Sequence, residues 1–183
     1  MLDLSKANAP ESVNVNGAFY AVHTDFRYWI IFSRMLLEEH TYLDYDLFYI
    51  NEKPADRKAG FDSLLEFFVN KKELPRVFDS DSDVNVLDYD LDSELIFSAF
   101  MELYGIDLIS EKTHLHWWKF KALLAGLHGT KLNEVMGYRC YVEGQKTDWK
   151  QTARENKRRW ELPQKLTGEE KEASEEFDRL LNA

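Results

Sequence analysis

Three aspartates near the middle of the chain have a spacing that could bind calcium. Asp79, Asp81 and Asp83 match the first, third and fifth ligand positions of an EF-hand loop. That loop also needs a glycine at its sixth position, for a sharp turn, and a glutamate at its twelfth, for bidentate ligation. Val84 and Asp90 stand at these two positions. The sequence therefore favours a solvated acidic loop over a calcium site.

The histidines and potential nucleophiles lack the neighbours that metal binding or catalysis needs. His114 and His116 would point to different faces of a helix, although an extended backbone would bring them together. We interpret them as residues at a helix start or at the edge of the core, because no third cysteine or histidine lies nearby. Cys140, Ser93 and Ser98 have neither a glycine-flanked elbow nor a neighbouring base. We therefore expect no catalytic, cofactor-binding or metal-binding residues, and a protein that is not an enzyme.

A predicted helix from Thr147 to Trp160 carries the most distinctive charged surface. Basic residues crowd its polar face, and Trp149, Ala153 and Trp160 form a thin apolar seam. This apolar content is too small for a deeply buried helix. Five of its residues are therefore candidate partner-binding residues: Lys150, Arg154, Lys157, Arg158 and Trp160.

Two kinds of partner fit this basic helix. Basic side chains interleaved with aromatic rings can contact phosphates and stack bases, as in nucleic-acid binding. They can equally pair with the acidic segment from Asp79 to Glu94, which holds seven carboxylates, or with an acidic partner protein. The chain has 33 acidic and 23 basic residues and a net charge of -10, which repels a polyanion. Pairing within the protein or with another protein is therefore favoured over nucleic acid.

A capping-box pattern opens a predicted amphipathic helix over residues 167–182. Its apolar stripe includes Phe177, Leu180 and Leu181, which are three further candidate partner-binding residues. The helix either packs against the domain or docks as a detachable arm in a groove on another protein, which requires anchors at this spacing. No feature of the sequence decides between these two alternatives.

Turn and capping residues mark the first elements of the chain. Alternating apolar residues flank an Asn-Gly pair at 16–17, which predicts a β-hairpin over about residues 11–22. Thr24 and Asp25 then offer capping oxygens to a helix that is predicted to end near His40. The expected stripe of this helix comprises Phe26, Trp29, Ile30, Ser33 and Leu37.

The next segment, Asp44 to Ile50, is predicted as either a short helix or a loop. Pro54 and Asp56 introduce a second clear helix, which the Leu-Pro pair at 74–75 is predicted to stop. Apolar residues recur in this helix at helical spacing: Phe61, Leu64, Leu65 and Phe68.

The acidic segment leads into a third helix, which Gly105 is predicted to close. Further on, Thr130 caps a short helix to Met136 that Gly137 is predicted to end. The backbone of residues 138–142 is compatible with both an extended and a helical conformation. The apolar stripe of the third helix is Leu95, Ile96, Ala99, Phe100 and Leu103.

The run LHWWKFKALLAGL, residues 115–127, places two adjacent tryptophans in a helix with apolar residues on two faces. Other elements would have to cover most of the circumference of such a helix. We therefore place it at the centre of a helical core. The first face holds Trp117, Phe120, Leu124 and Leu127, and the second holds Leu115, Trp118, Ala122 and Ala125.

Length and composition predict one mainly α domain. A chain of 183 residues that is 44% hydrophobic can bury one ordinary core. We divide it into an N-terminal extension (1–10), a helical globular domain with the β-hairpin (11–163) and a C-terminal amphipathic helix (164–183). The longest apolar stretch, residues 28–32, is too short to span a membrane, and the first residues lack the order of a signal peptide. With its single cysteine, the chain is expected in a reducing, cytoplasmic compartment.

Four segments together resemble the phage gene-product-fifteen family. They are the tryptophan run, the acidic lead-in VLDYDLDSELIFSAFMELYGIDL, the following MGYR and the later basic KRRWELP. The resemblance spans about residues 11 to 163, is best between 86 and 163, and does not include the final helix. Members of that family come from long-tailed phages of Gram-positive hosts and are usually encoded between the major tail protein and the tape-measure protein.

This resemblance implies a role in phage tail assembly without a cofactor. The genome position suggests a tail-assembly chaperone that holds the tape-measure protein soluble in the host cytoplasm while tail-tube subunits polymerise around it. The major tail protein is a second candidate partner, and self-association is a third. The alternatives are a structural tail or connector component of the virion and a nucleic-acid-binding accessory protein.

Overall fold

The computed structural model describes residues 2–38, 40–70, 86–141 and 150–163. Within these ranges the chain is mainly α, with one two-stranded hairpin and six α-helices, which confirms the predicted fold class. The elements are β1 (Ser12–Val15), β2 (Ala18–Ala21), α1 (Phe26–Met35), a 3-10 helix (Asp44–Phe48), α2 (Arg57–Val69), α3 (Ser93–Tyr104), α4 (Trp117–Ala125), α5 (Lys131–Arg139) and α6 (Lys150–Trp160).

The chain forms two compact units. The first contains Met1–Ser82 and Tyr89–Asn133, and the second contains Asp83–Asp88 and Glu134–Ala183. Several predicted features lie outside the described residues: the aspartates at 79, 81 and 83, the stop at 74–75, the first residues (147–149) of the predicted basic helix, and the helix over 167–182 with Phe177, Leu180 and Leu181. Among the residues described, no helix has the length and apolar character that crossing a membrane requires.

The predicted hairpin is confirmed. Its strands pair antiparallel, with Ser12 opposite Ala21 and Val15 opposite Ala18. Asn16 and Gly17 have φ angles of 53° and 89°, in the left-handed region that a tight hairpin turn requires at both positions. Val15 and its strand neighbour Val13 are buried, so β1 turns one face towards the core.

Helix α1 begins where the sequence predicts but ends earlier. The Asp25 side chain caps it by accepting the backbone N–H of Arg27 at 3.0 Å. The helix ends at Met35 and not near His40: the backbone continues with i→i−3 bonds from Leu37 to Arg34 (2.9 Å) and from Glu38 to Met35 (3.3 Å), and the Tyr45 hydroxyl, from the following 3-10 helix, donates to the Met35 carbonyl at 3.2 Å. The predicted stripe is wrong beyond Ile30: Leu37 is 60% exposed. The buried residues of α1 are Phe26, Trp29, Phe32 and Met35.

Helix α2 also ends before its predicted stop, and side chains of α4 explain why. Asp56 caps its start as predicted, and Asn70 ends it with a left-handed φ of 46°. The indole N–H of Trp118 donates to the Phe67 carbonyl at 2.9 Å. The indole of Trp117 and the ammonium of Lys121 both bond the Phe68 carbonyl, and Lys121 also bonds the Val69 carbonyl. The last carbonyls of α2 thus have partners from another helix, which permits the early end.

The core of the first unit is aromatic and is centred on Trp29. This side chain is fully buried, and its indole N–H donates to the His23 carbonyl at 2.8 Å. Five rings lie with their centroids between 4.7 and 6.4 Å from the Trp29 ring: Phe32, Phe48, Phe67, Phe68 and Trp117. Such stacked and tilted pairs add stabilisation beyond the area that each ring buries.

Helix α4 takes part in this core, but on a narrower face than predicted. Trp117, Trp118 and Phe120 are buried, whereas Ala122 and Ala125 are exposed. The expectation that other elements cover most of its circumference is therefore wrong in its second half. The small alanine side chains bury little apolar area, so leaving them in solvent costs little.

Helix α3 ends at Gly105 as predicted, with a left-handed φ of 64°. Helix α5, by contrast, runs through Gly137 to Arg139, so the predicted end at Gly137 is wrong. A glycine inside a helix costs only about 1 kcal/mol. The guanidinium of Arg139 offsets that cost by donating to the carbonyls of Trp160 (2.6 Å) and Val86 (2.9 Å). Tyr138 and Arg139 are therefore helical, the alternative that the sequence left open.

The start of α4 makes stability dependent on pH. His116 caps this helix, as a helix-start histidine should: its Nδ1 accepts the N–H of Trp118 at 3.0 Å. The other ring nitrogen, Nε2, then carries the proton and donates to the Pro10 carbonyl at 2.9 Å. The imidazole is thus neutral in the folded protein, and burial lowers the pKa of His116 below its usual value of 6.5.

We expect the free energy of unfolding to fall by about 1 kcal/mol as pH drops from about 7 to 5, the usual contribution of an N-cap. Below pH 6.5 the unfolded chain binds a proton that the folded chain does not, so acid favours unfolding. Urea titrations at several pH values measure this. His116→Asn, whose amide oxygen can cap without titrating, should show a shallower decline. Equal declines in both proteins would contradict this role.

Candidate functional site

An apolar groove of about 420 Å³ opens in the first unit, between α1, α3, α4 and the loop that joins α3 to α4. Its lining contains the buried side chains of Phe26, Ile96, Leu108 and Phe120. The less buried lining residues are Arg27, Ile30, Tyr89, Ser93, Glu94, Phe97 and Ile109. A concave, mostly apolar surface with few polar groups is the usual form of a binding site.

Ile109 gives this groove an exposed apolar edge. Its side chain is 75% exposed, although it lies in a well-bonded loop. The Asp107 carboxylate accepts the backbone N–H groups of Ile109 (2.9 Å) and Ser110 (3.1 Å). The Asp107 carboxylate therefore holds the loop backbone at the residue whose large apolar side chain faces solvent.

A single arginine fastens the same loop to α1. The Arg27 guanidinium donates to the backbone carbonyls of Leu108 (2.7 Å), Ser110 (3.0 Å) and Thr113 (3.0 Å). It also lies 3.1 Å from the Asp25 carboxylate, which neutralises its charge. We call this set of bonds the Arg27 clamp. It positions Leu108 in the groove wall and supplies little free positive charge to the site.

The charge at the groove edge is negative. Glu94 lies in the first turn of α3, is exposed, and makes no ion pair within the described part of the chain. The nearby Asp90 is paired with Arg34 of α1, whose Nε lies 2.8 and 2.9 Å from the two carboxylate oxygens. Arg34 therefore pairs with Asp90, and the Glu94 side chain is exposed at the groove edge.

A second depression in the first unit contains histidines and carboxylates. His114 lies 3.2 Å from Asp25, and His23 stacks on Tyr28 with ring centroids 4.1 Å apart. Asp25 is already engaged in the α1 cap and the Arg27 clamp. Within the described ranges, no group of three metal-ligating side chains is arranged to hold an ion. These contacts stabilise the start of α1.

The candidate residues of the basic helix lie on α6, in the second unit. This helix spans Lys150–Trp160. The side chains of Arg154 and Arg158 are exposed. Lys157 is half-buried and its ammonium donates to the Tyr141 carbonyl at 2.8 Å. Trp160 is half-buried, and its carbonyl accepts the bond from Arg139. Lys157 and Trp160 thus take part in bonds within the second unit, and the side chains of Arg154 and Arg158 are exposed.

The groove residues were not predicted as a site from the sequence. Ile30 was assigned to a buried stripe, whereas its side chain lines the groove and is only half-buried. Ile109 and Phe97 were not singled out. One signal was available: Leu108 and Ile109 are adjacent apolar residues in a loop, between Asp107 and Ser110, where periodicity assigns no buried face.

Comparison with known proteins identifies one related family. The model of a family described as Bacteriophage Gp15 protein matches residues 6–166. That range includes the whole groove and helices α1 to α6. Neither a curated protein nor a solved structure matches the chain.

Proposed function

Since the chain belongs to the bacteriophage Gp15 protein family, and is thus a bacteriophage structural or assembly protein, we propose that it acts in tail assembly. In this proposal it is a chaperone that holds the tape-measure protein soluble in the host cytoplasm until tail-tube subunits polymerise around it. It acts by binding, without catalysis and without a cofactor. The major tail protein is the second candidate partner.

The groove is the observation that carries this proposal. A protein that holds an aggregation-prone partner needs accessible apolar surface in a fixed position, and the loop at Ile109 supplies it. It must also stay dispersed while that surface is exposed, and a net charge of -10 keeps copies apart. Both properties support a holding function.

We expect co-expression with the cognate tape-measure protein to raise the soluble yield of that partner severalfold. Binding of the folded chaperone removes the partner from the pool that aggregates. Solubility assays and affinity pull-down measure the effect. An unrelated acidic protein of similar size and charge is the control, and it should leave the yield unchanged. Absence of association at any salt concentration, with a partner shown to be soluble, would overturn the proposal.

Purified phage particles separate this function from that of a structural tail or connector component. An assembly chaperone leaves before the tail is complete, so mass spectrometry should find the protein in lysates and not in mature particles. Stoichiometric recovery from particles would favour the structural alternative.

A further inference from the structure

We propose that the apolar groove binds an amphipathic helix that carries a basic residue beside its apolar anchors, and that this helix belongs to the tape-measure protein. The identity of the partner rests on the function proposed above. The helical form and the basic residue rest on the groove itself, on its shape, its charge and its rigidity.

The shape and lining of the groove favour a helix. Residues of three helices and one loop line it, and its 420 Å³ lies in the range of roughly 300 to 1,000 Å³ that is typical of ligand sites. Its surface is mostly apolar, from Ile30 on α1 and Phe97 on α3 to Ile109 on the loop. An amphipathic helix inserts apolar side chains at intervals of three or four residues into such a groove. Addition of a peptide as a further β-strand would instead need an open strand edge, and the groove lining contains no strand.

The charge at the groove selects a basic partner. The lining contains two charged residues, Arg27 and Glu94. The charge of Arg27 is neutralised by Asp25. Glu94 is exposed and makes no ion pair within the part of the chain that the structure describes. A lysine or arginine beside the apolar anchors would pair with Glu94, whereas an acidic partner would be repelled. A second copy of this chain is disfavoured, since each copy carries a net charge of -10.

The rigidity of the edge lowers the cost of binding. Asp107 and the Arg27 clamp hold the loop through bonds to five of its backbone groups. The backbone at Ile109 is therefore held before a partner arrives, so binding orders little of the loop backbone.

The test compares two isoleucine-to-glutamate variants of the full chain. Ile109→Glu places a carboxylate at the groove edge. Ile31→Glu makes the same change on α1 at a residue that is 41% exposed and does not line the groove. Binding is measured by pull-down of the tape-measure protein, and by titration of overlapping peptides that tile it. We expect Ile109→Glu to weaken binding about tenfold and Ile31→Glu to change it less than about twofold.

A second pair of variants tests the charge. Glu94→Gln should weaken binding about threefold and reduce its dependence on salt, whereas Glu102→Gln, an exposed change elsewhere on α3, should not. Thermal unfolding checks that all variants are folded, and the peptides that bind should be helical by circular dichroism and contain lysine or arginine.

The outcomes separate this inference from the proposed function. If the tape-measure protein is held in solution equally well by wild type and Ile109→Glu, the groove is not the site and the chaperone function stands. If the wild type binds neither the protein nor any peptide, both fail. If the wild type self-associates and Ile109→Glu abolishes this, the groove is an interface between copies and the inference is overturned.

Discussion

Replacing Trp29 by alanine is expected to lower the free energy of unfolding by about 3 to 5 kcal/mol, the range for deleting a large buried aromatic side chain. Its ring is fully buried and lies among five other aromatic rings from α1, α2, α4 and the 3-10 helix. The alanine variant would leave a cavity that these rings cannot fill without moving. It would also remove the indole that bonds the His23 carbonyl.

Trp29→Phe is the matched control for this prediction. The phenyl ring restores most of the packing but cannot donate to the His23 carbonyl, so the loss should be roughly 1 to 3 kcal/mol, the cost of one unsatisfied buried group. Urea unfolding followed by circular dichroism measures all three proteins. A loss below about 0.5 kcal/mol in the alanine variant, the range of surface substitutions, would show that Trp29 does not hold the core.

Removing the Arg27 clamp is expected to have the second largest effect. Arg27→Met keeps the aliphatic stem but removes the donors to three backbone carbonyls and to Asp25. Hydrogen bonds from charged groups contribute about 1.5 to 3 kcal/mol each when buried. The Arg27 side chain is 39% exposed, so water replaces part of this, and we expect a total loss of about 2 kcal/mol.

Hydrogen exchange should locate the effect of Arg27→Met. The amides of Ile109 and Ser110 should exchange faster, because the loop loses its attachment to α1 while its bonds to Asp107 remain. Arg27→Lys keeps the charge beside Asp25, but a single ammonium cannot reach all four acceptors, so its loss should be intermediate. A stable Arg27→Met protein with unchanged loop exchange would show that the clamp is dispensable.

Local signals in the sequence predicted how elements begin and turn. The Asn-Gly pair at 16–17, the capping carboxylates of Asp25 and Asp56, and Gly105 at the end of α3 act through their own backbone or through groups a few residues away. Such interactions do not depend on the rest of the chain. The positions of these turns and helix ends could therefore be predicted from a few neighbouring residues.

The ends of two helices could not be predicted in this way. Helix α1 ends where Tyr45 reaches the Met35 carbonyl, and α2 ends where Trp117, Trp118 and Lys121 bond its last carbonyls. These partners lie 10 to 53 residues away along the chain. Helical periodicity predicts which residues share a face of a helix. It does not predict which hydrogen-bond donors of other elements will contact the carbonyls at the end of that helix.

The groove could not be predicted from the sequence because it also depends on contacts between distant residues. Charge and aromatic content drew attention to α6, where Lys157 and Trp160 take part in bonds within the second unit. The groove instead depends on Ile109, an apolar residue in a loop, and its exposure follows from the bonds of Asp107 and Arg27. Exposure of an apolar residue is a property of the folded chain, and the only sequence signal for Ile109 was its place beside Leu108, between Asp107 and Ser110, outside the predicted helical stripes.

The bonds from α4 to the end of α2 also set the order in which the protein can fold during synthesis. Lys121 follows its acceptor Val69 by 52 residues. At about 5 to 20 residues per second, the ribosome adds that stretch in roughly 3 to 10 seconds. Until then the rings of Trp29 and Phe67 lack the cover of Trp117 and Trp118. We propose that this protein shields another protein from aggregation. During its own synthesis, however, its aromatic core remains incompletely covered for several seconds.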